Sequence, residues 1–189
     1  MGRIRFLAFL SILVVGAPLP LAAQDAGEAE NTSVEYARHL SASDWDAAAA
    51  MMHPEALGQI RTLAELLTEM DPSGQAASMI FGSAGASLEG ESDTEVFAAF
   101  LAFAMTQAGL AEAMASMRQD AVGHVAEGDT VHVVSRTHMS FEGLSVSQMN
   151  VSSLVRHEGA WRMLLTGEIE AFLLGLRQQL GVDSGPSVN

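Results

Sequence analysis

The chain has 189 residues, no cysteine, and a formal net charge of −14 from 23 acidic and nine basic residues. Such a charge repels phosphate backbones and anionic membrane surfaces, which argues against nucleic acid as a partner. Packing alone must carry the fold, and the length suits one domain of ordinary size.

The first 23 residues pair a positive start, Arg3 and Arg5, with the apolar run FLAFLSILVVGAPLPLAA. That is the pattern of a secretory signal peptide cut after Ala22-Ala23. Pro18 and Pro20 interrupt the run, and it is shorter than the roughly 20 apolar residues of a spanning helix. No Cys follows it to carry a lipid anchor. The expectation is a secreted or periplasmic protein that is free of the membrane after cleavage.

Residues 24–31 (QDAGEAEN) read as a flexible leader before a single domain over 32–181. Thr32 with Glu35, and Ser43 with Asp46, have capping-box spacing ahead of two short helices. His53-Pro54 ends the second and opens PEALGQIRTLAELLTEM, with Leu57, Ile60, Leu63, Ala64, Leu67 and Met70 on one stripe. QAASMIFG is a short apolar piece, and SAGASLEGES reads as a loop. Ser92 and Glu95 cap the longest expected helix, 94–117. It is apolar on all sides from Val96 to Met105, as a central buried helix would be.

From Arg118 the pattern changes to short runs rich in β-branched residues, cut by Glu-Gly pairs. This predicts an antiparallel meander of four strands over 119–126, 130–141, 144–156 and 160–166. A last helix carries Ile169, Phe172, Leu173, Leu176 and Leu180 and stops at Gly181, and 182–189 reads as a disordered tail. The fold class is therefore α+β: N-terminal helices packed on a curved four-stranded antiparallel meander, with a C-terminal helix.

Two-residue turns at Glu142-Gly143 and Glu158-Gly159 set a register pairing Phe141 with Leu144 and His157 with Ala160. One face then carries Val131, Val133, Met139, Phe141, Leu144, Val146, Leu154, Trp161, Met163 and Leu165. Ser135, Thr137, Gln148, Asn150 and Ser152 lie in its middle. This more apolar face should meet the helices, so its polar belt needs hydrogen bonds, water or a ligand. Tyr36 and Trp45 are candidate aromatic walls if they face inward. The competing readings are a satisfied polar ladder in a packed core and a belt opened to solvent by sheet curvature.

YARHLSASDWDAAAAMMHPEAL, VAEGDTVHVV and HEGAWRM resemble the NTF2-like cone fold, the family of SnoaL-like and ketosteroid isomerase-like proteins. The resemblance covers 36–57 and 94–166. It implies a pocket between sheet and helices. Residues 58–92 depart from the pattern where the family carries a strand, and 168–180 add a helix beyond the usual last strand.

Chemistry is less legible than architecture. His132 and His138 stand six residues apart on one strand, about 20 Å, too far for shared metal coordination; His124 with His132 is closer, but surface histidine is the plainer reading. The eleven methionines invite a copper(I) reading, yet without a tight motif they read as flexible core filler. Gly82 to Gly90 lacks the lysine of a phosphate loop. No catalytic residue, metal or cofactor is assigned. The expectation is a non-catalytic binding or accessory domain for a small apolar molecule or a protein partner, with homodimerisation through the sheet or the long helix. The alternatives are a SnoaL/ketosteroid isomerase-like enzyme with a pocket carboxylate or His, and an interaction module with a filled core.

Overall fold

The structure is a computed structural model that describes residues 21–82, 88–105, 110–165, 167, 169–171 and 174–175. The expected signal sequence up to residue 20, the centre of the Gly/Ser loop and the tail 182–189 lie outside the described residues. Helices precede a four-stranded antiparallel sheet of order β1-β2-β3-β4, so the fold is α+β.

Helix α1 (Leu21–Ser41) is continuous through the segment expected as a flexible leader. Ala26, Ala29, Ser33 and Ala37 are buried at three- and four-residue spacing, a small-residue stripe that lets the helix lie close against the sheet. Thr32 is therefore no cap: its hydroxyl donates to the Glu28 carbonyl at 2.9 Å, inside the helix. Distant contacts hold this first half in place. Arg156 donates to the carboxylates of Asp25 and Glu28, and Trp161 Nε1 donates to the Asp25 carbonyl at 3.0 Å.

Helix α2 (Trp45–Ala50) is capped by Asp44, whose carboxylate accepts from the Ala47 amide, one position later than the expected Ser43. Helix α3 (Pro54–Met70) starts at a His53 cap with proline in its first turn. Its predicted stripe buries Leu57, Ile60, Leu63 and Ala64, while Met70 at the far end is exposed. Helix α4 is Gln75–Phe81. The expected helix 94–117 is seen as α5 (Asp93–Met105) and α6 (Leu110–Ala115), with 106–109 outside the described residues. The box at the start of α5 forms as the sequence indicates. The Ser92 hydroxyl accepts from the Glu95 amide, and the Glu95 carboxylate accepts from the Ser92 amide.

The strands are β1 (Arg118–Glu127), β2 (Thr130–Phe141), β3 (Leu144–His157) and β4 (Ala160–Met163). Phe141 pairs with Leu144 and His157 with Ala160, the predicted register. Both Glu-Gly turns have positive φ at both residues, the hairpin geometry whose twist suits the flanking strands. Between Ala121 and Gly123 the β1–β2 register shifts by one residue, leaving Val122 as a bulge that bends β1. The chain after β4 is helical at 169–171 and 174–175.

One core joins the layers. Phe97, Val96 and Leu101 of α5 and Ile60 of α3 pack with Val133, Leu154, Trp161 and Met163 of the sheet. Each such side chain contributes about 1.5–3 kcal/mol by leaving water. A parallel bridge between Met52 and Met163 fastens the α2–α3 junction to β4. The cover is partial, however. Leu144 and Val146, expected against the helices, are 68% and 50% exposed. They stand on the predicted face, but among the described residues no helix buries them there. The side chain of Phe141 is outside the described residues.

Candidate ligand-binding site

Where helix cover ends, a cavity of about 680 Å³ lies between α1 and the sheet, open on one side. Tyr36, Ala37 and Leu40 on successive turns of α1 form one wall. Met105 from the end of α5, and Met114 and Met117 from α6 and its exit, form a second. The sheet supplies the floor: Gln119 of β1, Thr137 and Met139 of β2, and Gln148 to Ser152 of β3. The volume falls in the usual range for small-molecule sites, and the apolar walls with a narrow polar belt match their usual lining. Methionine side chains adapt to irregular shapes.

The belt is a directed chain of hydrogen bonds. Gln148 Nε2 donates to Asn150 Oδ1 at 2.8 Å, and Asn150 Nδ2 donates to Thr137 Oγ1 at 2.8 Å. Thr137 donates to Gln119 Oε1 over a longer 3.4 Å, and Gln119 Nε2 donates to the hydroxyl and carbonyl of Ser33 at 3.0 and 3.3 Å. Strand pairing makes this chain. Thr137 faces Gln119 on one side and Gln148 on the other, with Asn150 two residues along the same face. The ladder runs from the rim, where Gln148 is exposed, to the buried Ser33. The belt combines features of the sequence alternatives, because it is hydrogen-bonded and yet borders an open volume.

The predicted residues separate into three groups. Thr137, Gln148, Asn150, Ser152 and Tyr36 line the cavity. Ser135 does not. It is fully buried deeper on β2, and its hydroxyl meets no hydrogen-bond partner among the described residues. Trp45 lies elsewhere, on α2, in a shallow acidic dent with Asp44, Asp46, Glu91 and Glu95. An aromatic on a short helix carries no signal of which way it faces. Gln119 was missed because the bulge at Val122 hides the β1 register. The methionines were missed as a group because they come from four separate elements.

Burial pushes the Tyr36 hydroxyl well above the ordinary tyrosine range, so it stays a neutral phenol at the wall. Among the described residues that line the cavity, none is Asp, Glu, His, Lys or Arg.

The histidines stand apart from this volume. His124 contacts Glu30 at 2.8 Å on the helix side of the sheet. His132 is on the opposite face, since the residue opposite His124 is Val133. Sharing a metal between these two is thereby ruled out. His132 does stand between Ser153 Oγ, 2.9 Å from Nδ1, and Glu127, 3.4 Å from Nε2, at a cleft of about 400 Å³. Glu127 is 84% exposed, so water screens this contact. Among the described residues no three His, Asp or Glu side chains gather as a metal site.

No protein-family model, curated protein or solved structure matches the chain.

Proposed function

We propose that the protein is an exported, non-catalytic binding or accessory domain of NTF2-like architecture that holds a small, uncharged, largely apolar molecule between sheet and helices. The single observation that carries the reading is the cavity of about 680 Å³ beside the Gln148–Asn150–Thr137–Gln119–Ser33 ladder. Apolar walls reward transfer of hydrocarbon from water. The belt offers one polar group of the ligand a partner, because Gln148 and Ser152 keep hydrogen-bonding capacity beyond the bonds described above. A charged ligand would lose hydration with no countercharge among the described lining residues. An anionic one would also meet the acidic field of the chain.

Support for the architecture is the order of elements, helices followed by an antiparallel meander, with a cavity between α1 and the sheet. Support for export is the Arg-flanked apolar leader closing on Ala22-Ala23. An isomerase-like reaction would need a carboxylate or imidazole at the belt, and no described lining residue supplies one.

Titration with the neutral fluorophore N-phenyl-1-naphthylamine tests the reading. Saturable, one-to-one enhancement is expected, and Ala37→Phe, which fills the volume from the α1 wall, should weaken it roughly tenfold. Enhancement that never saturates, or that is indifferent to Ala37→Phe in a folded variant, would sink the ligand reading.

A further inference from the structure

We propose that β3 pairs edge to edge with β3 of a second copy, antiparallel about Gln148, and that the partner strand flanks the open side of the cavity. Along its inner edge β3 is bonded to β2 throughout, but its outer edge takes β4 only over residues 154–157. The last bond on that edge is from the Leu164 amide to the Ser153 carbonyl, 2.9 Å. Backbone groups alternate in direction along a strand. Ser145, Ser147, Met149 and Val151 therefore turn their N–H and C=O groups outward, as Ser153 does. No described residue hydrogen-bonds to them there.

Proteins ordinarily blunt such an edge with a charge, a proline or a bulge. This one carries none: from Leu144 to Val155 the sequence LSVSQMNVSSLV has no proline and no ionisable side chain, in a chain of net charge −14. Its pairing with β2 is unbroken, without a bulge.

Charge and geometry favour a second copy over a different peptide. A charged partner has nothing to engage along this stretch. A two-fold contact sets each residue group beside its own copy, which a neutral strand tolerates and an acidic one does not. Pairing about Gln148 sets Ser145 opposite Val151 and Ser147 opposite Met149 of the other copy. Each of these four residues then donates once and accepts once. The run lies between the Glu142-Gly143 turn on one side and the Leu164 bond on the other. Met149 and Val151, more than half exposed, become neighbours of serines across the junction. Both also line the cavity, so a partner strand lies along its rim. The pairing stands whether or not the cavity holds a ligand.

The absence of cysteine allows a direct test. Opposite residues of a non-hydrogen-bonded antiparallel pair have Cα atoms about 4.5 Å apart, within the range a disulfide spans. Under mild oxidation Gln148→Cys should form an intermolecular disulfide roughly tenfold more completely than Ser145→Cys. In the paired state the two copies of residue 145 stand about 20 Å apart. Sedimentation velocity should show a dimer that Ser147→Pro converts to monomer with an unchanged circular dichroism spectrum, since proline is tolerated where an edge amide points outward. Equal cross-linking at 145 and 148 overturns the proposal, as does a dimer indifferent to Ser147→Pro. A monomer whose amides at 145, 147, 149 and 151 resist hydrogen exchange overturns it too, because the chain then covers its own edge. If Ser147→Pro fails to fold, the cross-linking pair still decides.

Discussion

The two halves of β3 are built from the same alternating pattern and meet different fates. Leu154 lies under Trp161, Met163 and the helices and is fully buried, whereas Leu144 and Val146, on the same face, stand in water. Between them, Asn150 and Gln148 take part in a polar ladder at the edge of a cavity. Alternation therefore chooses the face a residue points to, and the reach of the helices decides whether that face is covered. One end of the sheet works as a core and the other as a surface with a hollow beside it.

Substitutions on the two sides should show the difference in stability. Phe97→Ala, in the covered region, should cost about 3–5 kcal/mol by urea denaturation. Val146→Ala at the open end should stay within about 0.5 kcal/mol. Comparable losses at both would mean that the open end is packed after all. At the boundary, Thr137→Val removes the hydroxyl that accepts from Asn150 and donates to Gln119, leaving two amides short of a partner. A loss of about 1–3 kcal/mol is expected, together with weaker fluorophore binding. Ser135→Ala is the contrasting change: it deletes a buried hydroxyl that has no partner among the described residues, and stability should hold or rise by up to about 1 kcal/mol.

Tyr36 sharpens the comparison by pH. It is the only tyrosine in the chain, so phenolate absorbance reports on it alone. Burial raises its folded-state value above the ordinary one near 10. The folded state then keeps a proton that the unfolded chain releases, so this contribution to stability is intact below about pH 10 and declines as pH rises beyond it. Phenolate should appear only as the protein unfolds in alkali. A titration at the ordinary value in the folded protein would place the ring in open solvent and remove one wall of the cavity.

Much of the architecture was legible because its signals are local. The Glu-Gly pairs fix the hairpins, the β-branched alternation fixes the faces, and the Ser92 and Glu95 box marks the start of α5. What was not legible depends on distant partners. The polar segment 24–31 is helical, held by the contacts of Asp25 and Glu28 with Arg156 and of Asp25 with Trp161. Neither side of those pairs announces the other in sequence. The belt was visible as a row of polar residues on one face, but Gln119 and Ser33, which complete it, come from a bulged strand and from a helix stripe of small residues. Trp45 packs against the core and lines a separate acidic dent, and residue type alone does not tell that place from the cavity wall.

The methionines give the most direct test of the central claim, because they are spread over both regions. With methyl-labelled methionine, the ε-methyl resonances of Met105, Met114, Met117 and Met139 should shift together as N-phenyl-1-naphthylamine is added. Those of the exposed Met70 and Met79 should stay where they are. Shifts centred on Met70 and Met79, or no movement among the four, would contradict a ligand site at the open end of the sheet.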